Sequence, residues 1–163
     1  MSVLYITMSA MYSMAALQPI GTVKSAYKDP KDLIFACEKG LHTDTHSKII
    51  IADEYADGLR GIGEFSHIFV IYHLHKAEKI ELTTHPGPPG IQLPKVGVFA
   101  SRSQYRPNHM ALRLVEIEKV EDNILHVKGL DAIDGTQVLD IKPYVSGFDR
   151  PEKFTDARWY GWF

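Results

Sequence analysis

Four cations and no acidic residue lie between positions 95 and 113 of this 163-residue chain, although its overall net charge is −2. The four are Lys95, Arg102, Arg106 and Arg113. Because a guanidinium offers two parallel donors to a carboxylate or a phosphate, Arg102 in particular could hold an anionic group of a ligand. A solvated surface loop would carry the same charges, and charge alone does not separate the two interpretations.

The stretch Tyr-Arg-Pro-Asn at 105–108 supplies three candidate substrate contacts. Pro107 disfavours helical backbone at the residue before it, so Arg106 should project from an extended segment. Arg106 could bind a phosphate or carboxylate of a substrate, or form a structural ion pair. Tyr105 could stack on a nucleobase or pack against the protein, and Asn108 lies beside them.

Two carboxylates, Asp131 and Asp134, follow each other closely in Leu-Asp-Ala-Ile-Asp-Gly. They could accept hydrogen bonds from ribose hydroxyls, from a ligand ammonium or from a nucleobase amine. An Asp-Gly pair also makes tight turns when no ligand is present. Farther along, Asp140 and Lys142 alternate on one strand face, where a structural ion pair is the favoured interpretation.

Three histidines, His67, His73 and His75, are spaced by even numbers and should share one strand face. That spacing is compatible with a metal site, but no carboxylate accompanies the three, and we expect no metal. The single cysteine, Cys37, excludes an intramolecular disulfide and favours a reducing compartment such as the cytoplasm. We interpret Cys37 as a small loop or core residue.

Short apolar runs separated by turn residues predict a mainly β protein with one short helix and long loops. The helix is expected at 53–61, with Asp53 as its N-cap and Gly61 as its stop, and a loop is expected at 85–94. Hairpin-type turns are expected at 121–123 and 131–135. The strands are predicted at 17–25, 48–52, 67–75, 96–100, 111–120, 124–128 and 136–144.

About seven short strands favour a single antiparallel sheet closed into a barrel. No Gly-x-Gly-x-x-Gly motif follows a strand, so any nucleotide-like cofactor would be bound without a Rossmann domain. We expect a barrel domain at 17–150, preceded by an N-terminal extension at 1–16. That extension is too short and too polar to span a bilayer, and we expect no membrane association. The aromatic tail at 151–163 should pack on the barrel or on a second subunit.

Three ordered segments carry a resemblance to a known family. They are GLRGIGEFSHIFVIYHLHK at 58–76, VGVFASRSQYRPNHMALRLVEI at 96–117 and GLDAIDGTQVLDIKPYV at 129–145, with a weaker match, PIGTVKSAYKDP, at 19–30. The combination resembles the TrmO/YaeB/VirR family, whose domain is called TsaA-like. The resemblance implies a single-sheet β-barrel, a homodimer and S-adenosylmethionine bound near the barrel mouth. It also implies methyl transfer to N6 of threonylcarbamoyladenosine in tRNA.

The resemblance further implies which residues contact ligands. The residues implied to contact the cofactor are His75, Lys76, Arg102, Leu112, Leu130, Asp131, Ile133 and Asp134. The residues implied to contact the substrate are Tyr105, Arg106 and Asn108. The resemblance assigns no catalytic residue that we could transfer.

The chain departs from the family pattern in two regions. A cofactor-contacting stretch resembling Pro-Arg-Gln is absent, and LIFAC stands at 33–37 in about its place. After Arg-Pro-Asn the family has Pro-Ile-Gly-Leu, whereas this chain has HMAL at 109–112. Gln104 and Gln137 each stand where the family has proline. The alternatives are therefore a methyltransferase for another substrate and a non-catalytic regulator that binds S-adenosylmethionine or RNA.

Overall fold

Six antiparallel strands close into a barrel in the computed structural model, which describes residues 16–87 and 93–160. Around the barrel the order is β1-β2-β7-β6-β3-β8, and β4 and β5 form a separate two-stranded ribbon. In chain order the strands are β1 (Gly21–Lys24), β2 (His46–Ile51), β3 (His67–His73), β4 (Thr83–Thr84), β5 (Val96–Gly97), β6 (Met110–Glu121), β7 (Ile124–Lys128) and β8 (Gln137–Pro143).

The core lies inside this barrel. In β3, Ile68, Val70 and Tyr72 are buried, while the residues between them are only half-buried. Alternate side chains of a strand point to opposite faces, so this pattern places one face of β3 in the core and the other on the outer wall. The side chains with almost no exposure are Val23, Ile49, Ile51, Ile68, Val70, Val98, Val115, Leu125, Leu130, Val127 and Val138.

The prediction of a mainly β closed barrel is confirmed, with six strands in the barrel. The predicted strand at 96–100 does not join it. Only Val96–Gly97 is extended, and Val98–Ala100 forms a 3₁₀ helix. The amide of Val98 donates to the carbonyl of Leu82 at 3.0 Å, and its side chain is buried, which holds this segment against the ribbon and away from the barrel.

Two α-helices are present in the described residues, α1 (Pro30–Glu38) and α2 (Ser146–Asp149). The sequence interpretation missed α1, although its start carries a clear signal. Asp29 caps it by accepting from the amides of Lys31 and Asp32, and the Asp32 carboxylate accepts from the amide of Asp29, which completes a capping box. Proline at the first helical position adds a preorganised φ angle.

The remaining helical segments are short 3₁₀ turns. The predicted helix at 53–61 is one of them, Asp53–Leu59, and the N-cap is Ala52 rather than the expected Asp53. No side chain caps this turn. The others are Leu41–Asp44, Ile62–Glu64, Val98–Ala100, Pro107–His109 and Arg158–Tyr160.

The expected turn at 121–123 is confirmed as a two-residue hairpin between β6 and β7, with Asp122 at a φ of 49°. The expected hairpin at 131–135 is wrong. Strand β7 pairs with β2 and β6, whereas β8 pairs with β1 and β3, so residues 129–136 join strands that are not neighbours. We call this segment the β7–β8 connection. It crosses the end of the barrel because its apolar residues Leu130 and Ala132 are buried in the core.

The expected N-terminal extension lies outside the described residues except for position 16, as do 88–92 of the expected loop and the last three tail residues. Within the described tail, the rings of Trp159 and Tyr160 lie 5.1 Å apart and both side chains are half-buried. Among the described residues, no helix combines the length and the apolar character that crossing a bilayer requires.

Candidate functional site at the end of the barrel

One end of the barrel gathers most of the residues that the sequence singles out. The antiparallel register brings the last residues of β3 and β7 to the same end as the first residues of β6 and β8. The β7–β8 connection closes this end, and a cleft remains beside it. We call it the barrel-end cleft; its lining residues are Leu33, Tyr72, His73, Leu74, His75, Lys76, Ala77, Gln104, Asp131, Ala132, Ile133 and Thr136.

The Asp131 carboxylate is fixed from two directions at the inner wall of this cleft. The Tyr72 hydroxyl donates to Oδ1 of Asp131 at 2.7 Å. Nη1 of Arg113 lies 3.7 Å from Oδ2, and Nε of Arg113 donates to the carbonyl of Gly129 at 3.0 Å. The Asp131 side chain still keeps 28% of its exposure, so the carboxylate can accept further bonds from a ligand.

Burial makes Tyr72 a permanent donor. Desolvation of the phenol, with the neighbouring Asp131 charge adding to it, raises the pKa of Tyr72 far above its ordinary value. The guanidinium charges of Arg113 and Arg102 oppose this rise. Arg102 is therefore close enough to act electrostatically on the inner wall of the cleft, although its own side chain is exposed.

His75 and Lys76 form the opposite side of the cleft. Nδ1 of His75 lies 3.2 Å from the hydroxyl of Thr136. Partial burial, followed by the charge of Lys76, lowers the pKa of His75 below its ordinary 6.5, so the ring is neutral at physiological pH. His75 lies beyond the end of β3, and the expectation that it shares a strand face with His67 and His73 is therefore wrong.

The predicted cofactor contacts occupy different positions around this end. His75, Lys76, Asp131 and Ile133 line the cleft. Leu130 is fully buried beneath it, so only its backbone could meet a ligand.

Arg102 and Leu112 lie on the outer wall beside the cleft, joined by a bond of 3.3 Å from Nη1 of Arg102 to the carbonyl of Leu112. The Leu112 side chain points outward from β6 and is 48% exposed. A ligand that reached both residues would extend from the cleft onto the surface.

Asp134 lies apart from the barrel-end cleft. Its Oδ1 accepts from the amide of Ser25 at 3.0 Å, and its Oδ2 pairs with Nζ of Lys28 at 3.1 Å. These contacts lower the pKa of the Asp134 carboxyl, the amide bond first and the lysine second. They tie the β7–β8 connection to the segment after β1.

The predicted substrate contacts lie on the segment that leads into β6. Arg106 is extended, with φ −103° and ψ 156°, as the following proline predicts. Its Nη1 donates to the carbonyl of Ser101 at 3.4 Å, and within the described residues it forms no ion pair. The Tyr105 ring lies 4.5 Å beneath Nζ of Lys79, and Asn108 is exposed at a left-handed φ of 66°.

Other expectations concern residues outside the cleft. The structural ion pair between Asp140 and Lys142 is confirmed at 2.8 Å. Among the described residues, no group of three or more histidine, cysteine or acidic side chains could hold a metal ion. The interpretation of Cys37 as a loop or core residue is wrong, because it is exposed on α1.

The sequence interpretation missed several residues of the cleft. Tyr72 was read only as part of an apolar strand, and Arg113 only as part of a basic segment. Their inward direction follows from strand alternation once the barrel axis is known, since Tyr72 lies opposite Ala111 and Arg113 lies opposite Val70. Leu33 reaches the cleft from α1, the helix that occupies the place of the missing family motif.

Comparison with known proteins agrees with this architecture. The chain matches the model of the tRNA-methyltransferase O N-terminal domain over residues 22–150. It is 46% identical to an S-adenosyl-L-methionine-binding protein of Archaeoglobus fulgidus, over 82% of this chain and 91% of that protein. It is 41% identical to the tRNA (adenine(37)-N6)-methyltransferase of Mus musculus, over 60% of this chain and 22% of that one.

A solved crystal structure of TrmO superposes with a TM-score of 0.69 at 27% identity, covering 87% of this chain. The chain spans 62% of the length of that structure. The family match covers well over half of the chain, including both sides of the barrel-end cleft. The chain therefore belongs to the tRNA-methyltransferase O family, and the part that matches is the family's N-terminal domain.

Proposed function

We propose that this chain is an S-adenosylmethionine-dependent methyltransferase that acts on N6 of threonylcarbamoyladenosine in tRNA. The family and the names of the relatives support the cofactor, the tRNA and the N6 position. That the adenosine carries a threonylcarbamoyl group is proposed from the resemblance of the three sequence segments. The observation that carries the proposal is the anchored, partly exposed Asp131 carboxylate at the mouth of the barrel.

The residues around the cleft fit the groups of S-adenosylmethionine. Asp131 offers acceptors for ribose hydroxyls or for the ammonium group. The exposed guanidinium of Arg102 could pair with the carboxylate, since one of its nitrogens is bound to a backbone carbonyl and the rest are available. Apolar contact for an adenine ring would come from Leu33 and the edge of Ile133.

The space inside the cleft limits how the cofactor would lie. The space open to water inside the cleft is about 30 Å³, far below the roughly 300–1,000 Å³ of typical ligand pockets. The cofactor would therefore lie mostly on the surface, with one part at Asp131 and another reaching outward to Arg102. This arrangement accounts for the separation of the predicted contacts between the cleft and the outer wall.

When bound, the cofactor supplies a methyl group that is already activated by a sulfonium charge. The task of the protein is then to align the acceptor nitrogen with that methyl group. Tyr72 and Arg113 hold Asp131 in one orientation. If Nδ1 of neutral His75 carries the ring hydrogen and donates it to the Thr136 hydroxyl, Nε2 is the nitrogen that would take up the N6 proton.

A second candidate function is the same chemistry on a different substrate. His109 has a φ of 46°, and its amide donates to the carbonyl of Arg106 at 3.2 Å. The proline that the family has at this position cannot adopt that φ angle and has no amide hydrogen. The loop that carries Arg106 and Asn108 therefore has a backbone conformation that a proline at position 109 would exclude. This difference favours a substrate-binding surface unlike that of the family.

We further propose that a second copy of the chain covers the outer wall of β3 and β6. Phe69 lies opposite Leu114, and Ile71 opposite Leu112, in the register of these strands. Leu114 is 40% exposed, and exposed apolar side chains grouped in this way are typical of interfaces. Because Leu112 is bound to Arg102, a partner there would border the open side of the cleft.

The dimer is tested by light scattering after gel filtration. We expect the wild-type chain to elute as a dimer and the variant Leu112→Glu/Leu114→Glu as a folded monomer. A wild-type monomer at the concentrations used for activity would contradict this part. Since tRNA is the proposed substrate, we also propose a cytoplasmic location, which cell fractionation would check.

Two measurements separate the candidate functions. Calorimetry with S-adenosylmethionine should show binding, and the absence of heat at millimolar cofactor would remove the cofactor from the proposal. Mass spectrometry of tRNA nucleosides from cells that lack the gene should then show loss of the methyl group on N6-threonylcarbamoyladenosine. Loss from another nucleoside would favour the second candidate, and no loss would leave a non-catalytic binding protein.

A further inference from the structure

A second and larger cleft lies on the outer wall of the barrel, along β1, β2, β7 and β6. It encloses about 430 Å³ and is open to solvent. We call it the lysine cleft; the charged and polar residues that matter for the argument are Lys24, Lys28, His46, Lys48, His126 and Asp134. Lys24, Lys28 and Asp134 belong to the matched segments, whereas His46, Lys48 and His126 lie outside them.

The strand register aligns four basic residues across this wall. Lys24 of β1 lies opposite Lys48 of β2, and Lys48 lies opposite His126 of β7. His126 in turn lies opposite Lys119 of β6. Neighbouring strands are about 4.8 Å apart, so the row extends for about 14 Å across the sheet. Its first two members, Lys24 and Lys48, lie side by side, whereas Lys119 and His126 both contact Glu121.

The pair of lysines at the start of the row is unfavourable without a ligand. Like charges that lie directly opposite on antiparallel strands destabilise the sheet. Within the described residues, neither Lys24 nor Lys48 has an ion-pair partner within 4.0 Å, and both side chains are exposed. An anion bound between them would remove the repulsion.

The acidic residues of the wall have closer partners than these two lysines, although the charge of Lys24 also acts on the Asp134 carboxylate. Asp134 pairs with Lys28 at 3.1 Å. Glu118 pairs with His46 at 2.9 Å, and Glu121 pairs with both Lys119 and His126. With the histidines counted as neutral, the three lysines of the cleft outnumber Asp134 and Glu118 by one, and the two lysines without an ion pair lie on β1 and β2.

The lysine cleft adjoins the proposed methyl-transfer site. Asp131 lines the barrel-end cleft and Asp134 lines the lysine cleft, and both belong to the β7–β8 connection. Lys24 ends β1 close to where His46 begins β2, at the same end of the barrel. A strand of RNA in the lysine cleft could therefore continue into the barrel-end cleft.

We propose that the lysine cleft binds the phosphodiester backbone of the RNA substrate next to the nucleoside that is methylated. This inference rests on the proposed function, because it takes RNA as the substrate. Lys24 and Lys48 would each contact a phosphate. Contacts of this kind place the RNA without reading its sequence.

The test is tRNA binding, measured by fluorescence anisotropy over a series of salt concentrations, with wild-type protein and the variant Lys24→Gln/Lys48→Gln. Loss of two phosphate contacts should make the slope of log affinity against log salt less steep by about 1.4–1.8, with affinity about tenfold or more lower at low salt. S-adenosylmethionine affinity measured by calorimetry should stay the same. The melting temperature should stay the same or rise, because a like-charge pair has been removed.

A matched control carries the same change in net charge at two exposed tail residues, in the variant Arg150→Gln/Lys153→Gln. Its salt slope should equal that of the wild type. The inference would be overturned if the Lys24/Lys48 variant had the same salt slope as the wild type, or if the control lost as much tRNA affinity as that variant. Neither result would contradict the proposed function. Wild-type protein that binds S-adenosylmethionine but no tRNA would overturn both.

Discussion

The hydroxyl of Tyr72 donates a 2.7 Å hydrogen bond to the Asp131 carboxylate, which joins the last inward-facing residue of β3 to the β7–β8 connection. The two residues are 59 positions apart in sequence. This contact links the barrel core to the proposed cofactor site. A half-buried carboxylate is stable only when it accepts hydrogen bonds from fixed donors. The Tyr72 hydroxyl is such a donor, and it allows the β7–β8 connection to place Asp131 at the end of the barrel.

Replacing Tyr72 with phenylalanine should therefore weaken both the fold and the site. Loss of a buried donor to a charged acceptor should lower the free energy of unfolding by about 1–3 kcal/mol, measured by denaturant unfolding. S-adenosylmethionine affinity should fall as well, because Asp131 would keep only Arg113 as a partner. Tyr144→Phe is the matched control, since within the described residues its hydroxyl has no hydrogen bond. Equal losses in the two variants would contradict the role of the hydroxyl.

Substitutions of Asp131 and Asp134 should have different effects on cofactor affinity and stability, although the resemblance implies that both residues contact the cofactor. Asp131→Asn should lower S-adenosylmethionine affinity by about tenfold or more in calorimetry, since a charged acceptor is lost. Asp134→Asn should leave that affinity unchanged and lower the melting temperature, because it weakens the ties to Ser25 and Lys28. A strong loss of cofactor binding in the Asp134 variant would show that we have assigned this carboxylate to the wrong cleft.

Arg102→Ala tests whether the cofactor extends to the outer wall. Loss of a guanidinium–carboxylate contact should cost about 1.5–3 kcal/mol of cofactor binding, or about 10–150-fold in the dissociation constant. Arg102→Lys should recover part of the loss, because a lysine keeps the charge but not the paired donors. Removal of the exposed Arg150 serves as the control. Unchanged affinity in Arg102→Ala would mean that the carboxylate is bound elsewhere.

Two substitutions at His109 should change the free energy of unfolding in opposite directions, because this residue has a left-handed backbone. His109→Gly should stabilise the protein by less than the about 1–2 kcal/mol that a φ of 46° costs a residue with a side chain, because the 3.2 Å contact of Nε2 with the carbonyl of Lys79 is also lost. His109→Pro should destabilise it by about 1–3 kcal/mol, since proline neither adopts this angle nor donates to Arg106. Urea midpoints with unchanged m-values would measure both effects. Wild-type stability in the proline variant would contradict the left-handed backbone.

His75 should contribute to acid sensitivity. Its pKa is lowered in the folded protein, so the unfolded chain binds the proton more readily. The stability linked to this group is therefore complete above its ordinary pKa of 6.5 and is lost as the pH falls through the lower folded value. Between about pH 7 and pH 5, the melting temperature of the wild type should fall more than that of His75→Gln. Parallel curves for the two proteins would contradict this.

Much of the barrel could be predicted from the sequence, because its strands show regular burial on one face and are bounded by turn residues. The alternation in β3 and the Asp-Asn turn after β6 are local signals of this kind. The capping box at Asp29 is equally local and could have revealed α1. The segment before it is rich in turn residues, which favoured a loop interpretation.

The site could be predicted only in part, because its geometry depends on which strands are neighbours. The sequence motifs identified Asp131 and His75, but a hairpin interpretation of the β7–β8 connection left their relation to Tyr72 and Arg113 unseen. The sequence also does not show that Asp131 and Asp134 line different clefts, because both residues belong to the same short motif. The row from Lys24 to Lys119 needs the register of four strands that are not consecutive in the chain.

The central claim is transfer of a methyl group from S-adenosylmethionine to tRNA by the site around Asp131. The most direct measurement incubates purified protein with tRNA and cofactor labelled on the methyl group, followed by mass spectrometry of the nucleosides. We predict that the label appears on N6 of threonylcarbamoyladenosine with the wild-type chain and is strongly reduced with Asp131→Asn. Label absent from every nucleoside, in a sample that binds both cofactor and tRNA, would contradict the account.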